Sequence, residues 1–207
     1  MRLWEAVTGR RRTKGPDLDA LFGVPAAAVS LQAAMGFLPT GSGSVCFRAA
    51  AGAAFHALQN DVIAVIQADP DKPDVEVSVD GYGYTWLVVH RDPGDLAGLC
   101  TDLHVVNTTL VEQGFAGGLL CTMVPFADPS GRRFGLVYLY QQGTFYAFAP
   151  VAGPGTSGPG TSGAATSGEG QTRDNLLEIS VRDQLSGELP MEADLSRWLA
   201  VWGAPGL

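Results

Sequence analysis

The chain has 207 residues, 46% of them hydrophobic, a formal charge of −8 at pH 7 and a sequence pI of about 4.7. The acidic balance argues against nucleic-acid binding, which needs a basic footprint to release counterions from phosphate. The hydrophobic content is that of a folded chain, and at this length roughly 70% of the unfolded surface can be buried, so neither a disulfide nor a metal is needed to fold.

Residues 1–14 (MRLWEAVTGRRRTK) place Leu3, Trp4 and Val7 on one face of a short helix, followed by Arg10, Arg11, Arg12 and Lys14. Two readings stand. One is a helix docked on the domain with a solvated basic tail. The other is a peripheral membrane foot, in which Leu3, Trp4 and Val7 enter the interface and Arg10, Arg11 and Arg12 meet anionic headgroups. The apolar stretch is too short for a signal peptide, and no apolar run of about 18 residues predicts a span.

Gly15 and Pro16 break the chain, and Asp17 to Phe22 predict one helical turn ending at Gly23. Pro25 to Met35 reads as a short helix by its alanine content, or as a strand through Val29 and Leu31. Residues 36–44 predict a turn region, and Val45 to Arg48 a short strand. Residues 51–68 carry Phe55, Leu58, Val62, Val65 and Ile66 at helical spacing, closed by Asp69, Pro70 and Pro73.

Val75, Val77 and Val79 alternate with polar residues, as on a half-buried strand. Asp80-Gly81 predicts a two-residue hairpin turn, and Tyr84 to His90 the returning strand. Asp92 is the expected N-cap of the next helix, with Pro93 in its first turn. Leu96, Leu99, Leu103, Val106 and Leu110 mark its inner face, and Gly114 its C-terminal stop. Residues 119–126, 133–140 and 144–149 then predict a meander.

Residues 150–171 are low complexity, with GPGTSG present twice. They predict a flexible loop within one domain. Residues 173–185 suit a helix capped by Asp174 or a strand through Leu177, Ile179 and Val181, and the helix is favoured. Asp194 to Leu199 predict one more turn, and the tryptophan-rich end is expected to pack on the domain. The predicted organisation is a single α+β domain. It has an antiparallel sheet, hairpin plus meander, packed by two or three helices. Its segments are residues 1–16 (amphipathic helix and basic tail), 17–152 (core), 153–171 (loop) and 172–207 (C-terminal helix and tail).

No nucleophile elbow, phosphate-binding loop or dinucleotide fingerprint is present. Cys46, Cys100 and Cys121 are odd in number and form no C-x-x-C pair, which fits a reducing cytoplasm. Cys100 and His104, four apart on one helix, would be at most half of a zinc site. No catalytic residue, cofactor or metal is therefore predicted. Tyr82, Tyr84 and Trp86 alternate along the second hairpin strand. They are either core or the wall of a contact surface, since aromatic residues are enriched at interfaces.

The stretches LDALF, SVCFRA, GYGYTWLVV, DLHVVN, VYLYQQGTFYAFAP, RDNLLE and VWGAPGL together resemble the actinobacterial PspA-associated protein family PspAB, over nearly the whole chain outside the Gly/Ser/Thr insert. The resemblance implies a non-enzymatic accessory protein of envelope stress with a PspA-like protein as partner. It implies no catalytic residues. The helix, hairpin, helix, meander order is also like that of small chaperone-type domains, which makes a homodimeric binding module a further reading. An enzymatic or small-molecule-binding domain with an aromatic-lined pocket is another.

Overall fold

The computed structural model describes residues 16–48, 64, 73–151 and 172–207. The predicted helix at 51–68 lies outside them except for Ala64, which is helical. The predicted loop at 153–171 and the N-terminal residues 1–14 lie outside them too.

A 3-10 turn, Leu18–Gly23, runs directly into α1, Val24–Met35. The 3-10 turn ends at Gly23 as expected, and the chain passes from it straight into the α-helix, because the Gly23 φ of −78° is ordinary helical backbone and Pro25 falls in the first turn, where its missing N–H costs nothing. The ambiguity over residues 25–35 resolves as helix, stopped by Gly36 at φ 74°. By length and composition, Leu18–Met35 is long and apolar enough to cross a membrane, contrary to the sequence expectation. Here, however, Leu21, Val24, Ala27, Ala28 and Leu31 are buried in the protein core.

The strands are β1 (Leu38–Pro39), β2 (Ser42–Phe47), β3 (Glu76–Val79), β4 (Thr85–His90), β5 (Leu119–Ala127), β6 (Arg133–Leu139) and β7 (Thr144–Phe148). They form one sheet in the order β3-β4-β2-β5-β6-β7, with β1 paired to the far end of β5. Every ladder between these strands is antiparallel. The hairpin and the meander are thus joined through β2, which runs between β4 and β5. Helix α2, Leu96–Glu112, follows the hairpin, and α3, Asn175–Leu185, follows the meander. This is the predicted α+β domain, with three α-helices described in full.

One sheet face carries Val45, Phe47, Leu87, Val89, Val124, Phe126, Leu136 and Tyr138 into a core shared with α1, α2 and α3. The inner-face leucines predicted for α2 are all buried in it. The other face carries Cys46, Trp86, Val88, Met123, Val137, Tyr146 and Phe148. It is covered by the C-terminal tail, in which Trp198 and Ala204 are buried and Val201, Trp202 and Leu207 are packed alongside. Both faces of the sheet are therefore apolar, which explains why β4 and β6 read as near-continuous hydrophobic runs rather than clean alternation.

Three local expectations shift. The hairpin turn is longer than Asp80-Gly81, and the residue with left-handed backbone is Gly83, at φ 82°. The Asp80 and Tyr84 backbones close the loop around it, the geometry of a longer hairpin loop ending in a left-handed glycine. The α2 N-cap is Asp95, whose carboxylate accepts from the Gly98 N–H at 3.0 Å, while Asp92 caps the preceding turn through the Gly94 N–H. On β3, Val77 and Val79 are exposed and only Val75, just before the strand, is buried.

A short two-stranded ladder, β8 (Pro150–Val151) with β9 (Thr172–Arg173), stands at either side of the Gly/Ser/Thr insert. Asp174 caps α3 by accepting from the Leu177 N–H at 3.0 Å, which confirms the helical reading of that stretch. The outer edge of β7 is closed by residues 190–192. The Phe145 N–H donates to the Pro190 carbonyl, and the Glu192 N–H donates to the Phe145 carbonyl.

Candidate functional site

The three aromatic residues singled out from the sequence do not share one environment. Tyr82 sits in the hairpin turn and is exposed, Tyr84 is half-buried, and Trp86 is buried on β4. Asp80 organises them. One carboxylate oxygen accepts from the Tyr82 and Tyr84 N–H groups at 2.9 and 3.0 Å, and the other accepts from the Trp86 indole N–H at 2.9 Å. A buried indole N–H needs such a partner. The guanidinium of Arg48 lies 5.6 Å from the centre of the Tyr84 ring. Trp86 is thus part of the packing beneath the tail, and only Tyr82 and the outer side of Tyr84 are available for contact.

The tail is fixed by aromatic and polar contacts. Trp198 lies against Tyr146 with ring centres 5.9 Å apart, and Trp202 meets Phe148 edge-on at 4.8 Å. The Tyr146 hydroxyl donates to the Leu199 carbonyl, and the Trp198 indole N–H to the Glu192 carbonyl. Arg173 makes two bonds to Glu178, at 2.9 and 3.0 Å, and donates to the Trp198 carbonyl at 2.8 Å. Glu178, almost wholly buried, also accepts from the Ala149 N–H at 2.8 Å. One ion pair therefore ties β7, β9, α3 and the tail together.

The cysteine and histidine positions do not converge. Cys100 is buried among the helices, whereas Cys46 and Cys121 are direct partners across β2 and β5 on the tail side. Burial pushes the Cys100 thiol up to about 12. Contact with Cys121, then burial, raises that of Cys46 further. Both are held as inert thiols, the reverse of an activated nucleophile. His104 pairs with Asp19 at 3.4 Å, and its ring centre is 5.0 Å from that of Phe22. Among the described residues, no group of three or more His, Cys, Asp or Glu is placed to hold a metal.

A solvent-open depression is lined by Pro73, Asp74, Glu76, Val89, His90, Arg91 and Asp102. His90 stands 3.5 Å from Glu76, and both are largely exposed. Arg91 is engaged by Asp102 through two guanidinium bonds, which hold it more firmly protonated than usual. Four of the depression's polar side chains are thus paired, His90 with Glu76 and Arg91 with Asp102. Among the described residues no Ser, Cys or Lys nucleophile lines it, and an open site of this kind does not exclude water as an acid–base centre does. Leu3, Trp4, Val7, Arg10, Arg11 and Arg12 lie outside the described residues, so the membrane foot is not part of this geometry.

Sequence reading missed the Asp80 cluster and the Arg173–Glu178 pair. Neither has a motif: Asp80 was credited only with its turn propensity, and the pair is five residues apart across a strand-to-helix junction. It also missed the exposure of Phe22 and Val29. A signal for that was present, since the chain carries no charged residue and no histidine from Ala20 to Phe47.

These features define a single-domain α+β protein whose sheet is covered by helices on one face and by its own tail on the other. The chain belongs to the PspAB family, PspA associated protein B, whose family model matches residues 1–206. A comparison with curated proteins finds no match, and a comparison with solved structures finds none.

Proposed function

We propose that this PspAB-family chain is a non-enzymatic accessory protein of the membrane-stress response that binds a PspA-like protein. The observation that carries this reading is the family match over residues 1–206, whose description is an association with PspA. The geometry is in keeping with it: among the described residues, Arg91 is engaged by Asp102 and Arg173 by Glu178 in structural pairs. The protein works in the cytoplasm, at the inner face of the membrane, with residues 1–14 as a basic foot.

The test is a pull-down with the PspA homologue of the same cell at micromolar concentration. Retention is expected, and Tyr82→Ala should weaken it if the hairpin turn forms part of the contact. A chain that is folded by circular dichroism yet shows no retention overturns the proposal. Deletion of residues 1–14 tests the foot separately, by sedimentation with liposomes.

A further inference from the structure

The sheet ends differently on its two sides. At β7 the outward backbone groups of Phe145 are taken by residues 190–192. At the other side stands β3, Glu76–Val79, which pairs with β4 along one edge. The Asp80 N–H donates to the Tyr84 carbonyl at 3.0 Å. Hydrogen-bonded pairs alternate along an antiparallel ladder, so Ser78 with Trp86 and Glu76 with Val88 are the bonded pairs. The N–H and C=O groups of Val77 and Val79 therefore point away from β4. Among the described residues no strand lies on that side. The two side chains are open as well, Val77 being 40% and Val79 64% exposed.

An edge strand is ordinarily blunted by a lysine, a proline or a bulge, because free N–H and C=O groups are a template for a further strand. Here the residues whose backbone points outward are two valines, which favour extended backbone. Such an edge is satisfied by another extended chain, through main-chain bonds, with alternate side chains setting the choice of partner. The charges along β3 narrow that choice. Val77 lies across from Leu87 on the helix-covered face, with Val79 two residues on. Glu76, its side chain 70% exposed, lies on the opposite face, and Asp74 is exposed just before the strand. A second copy set antiparallel about Ser78 would put Glu76 of each chain against Asp80 of the other, and like charges directly opposite destabilise a strand pair. Each copy also carries a net charge of −8. A strand that bears cations meets attraction at the same positions.

We propose that the outer edge of β3 takes up an extended, cation-bearing segment of another protein. That segment adds a strand to the sheet, with apolar side chains beside Val77 and Val79 and lysine or arginine beside Glu76. It is defined by this chemistry, independently of the PspA-like partner proposed above.

The experiment is amide hydrogen exchange, read by nuclear magnetic resonance on the full chain, alone and with two short peptides at millimolar concentration. One peptide alternates valine with lysine and the other alternates valine with glutamate. The lysine peptide is expected to slow exchange at Val77 and Val79 and to leave Ser78, already bonded to β4, unchanged. The glutamate peptide is expected to have no effect. Val77→Pro removes one outward donor without touching the β4 ladder, so it should fold like the parent and bind the lysine peptide roughly tenfold more weakly. Glu76→Lys, at an exposed position, should reverse the preference between the peptides. No slowing at Val77 and Val79 overturns the proposal, and so does equal slowing by both peptides. Undiminished binding by a folded Val77→Pro, or an unchanged preference in Glu76→Lys, overturns it too. If analytical ultracentrifugation of the parent without peptide shows a dimer that Val77→Pro dissolves, the edge belongs to a second copy and the proposal falls.

Discussion

Glu178→Ala is expected to be the most damaging single substitution outside the apolar core. The carboxylate is 2% exposed, and it holds the Arg173 guanidinium by two bonds and the Ala149 N–H by a third. Its removal leaves Arg173 with its bond to the Trp198 carbonyl and its position 5.0 Å from the centre of the Phe148 ring, but with no counter-charge. Breaking a buried pair by deleting one partner costs about 3–5 kcal/mol, and an orphaned buried N–H is one component of that loss. Arg173 keeps some contact with water, its side chain being 22% exposed, so the lower part of the range applies, about 3 kcal/mol. For a chain of this size that is a fall in Tm on the order of 10 °C. The double variant Arg173→Met, Glu178→Leu removes both charges and takes these partners only from the Ala149 amide and the Trp198 carbonyl, so it should recover about half of the loss. Urea denaturation followed by tryptophan fluorescence measures both, compared at equal m-value. A loss below about 1 kcal/mol for Glu178→Ala, or a double variant no more stable than the single one, would refute the reasoning.

Asp80→Ala removes three bonds at the hairpin and strands the Trp86 indole N–H; it should cost about 2–3 kcal/mol and change the near-ultraviolet circular dichroism, and an unchanged spectrum would count against the cluster. The Asp128 carboxyl is lowered to about 2, first by the Ser130 hydroxyl and then by Arg132. Its contribution to the β5–β6 turn is therefore present above pH 4 and lost as pH falls through about 2, and Asp128→Asn should flatten that part of an acid-unfolding curve. The thiols of Cys46 and Cys100 are buried and raised, and Cys121 is buried beside Cys46, so the native protein should resist a disulfide reagent at pH 8 while guanidinium releases three reactive thiols. Rapid labelling of the native protein would show that the tail does not seal the sheet.

Where burial has a period, the sequence carried the fold. The leucines of α2 predicted its inner face, and the meander was visible as three apolar runs separated by glycine turns. Local propensity misled where two similar signals compete within a few residues. In Asp92-Pro93-Gly94-Asp95 both aspartates cap, and only the geometry assigns the helix to the second. In Asp80-Gly81-Tyr82-Gly83 either glycine suits a turn, and the left-handed one proves to be the later. The alternation of Tyr82, Tyr84 and Trp86 was read as one strand face because the turn was assumed shorter, so Tyr82 was placed on a strand it does not reach. The covering of the second sheet face was only partly legible. Two tryptophans near the end signalled packing, but nothing in the local sequence says which surface an irregular tail covers.

That tail has a consequence for the newborn protein. The β-strands and α3 are all synthesised before Trp198, Trp202 and Leu207, so Trp86, Met123, Val137, Tyr146 and Phe148 have no cover until those residues follow. A half-clad sheet is the kind of intermediate that associates with its neighbours. Chains stalled or clipped shortly after α3 should therefore be sticky and short-lived, because they lack the segment that covers this sheet face.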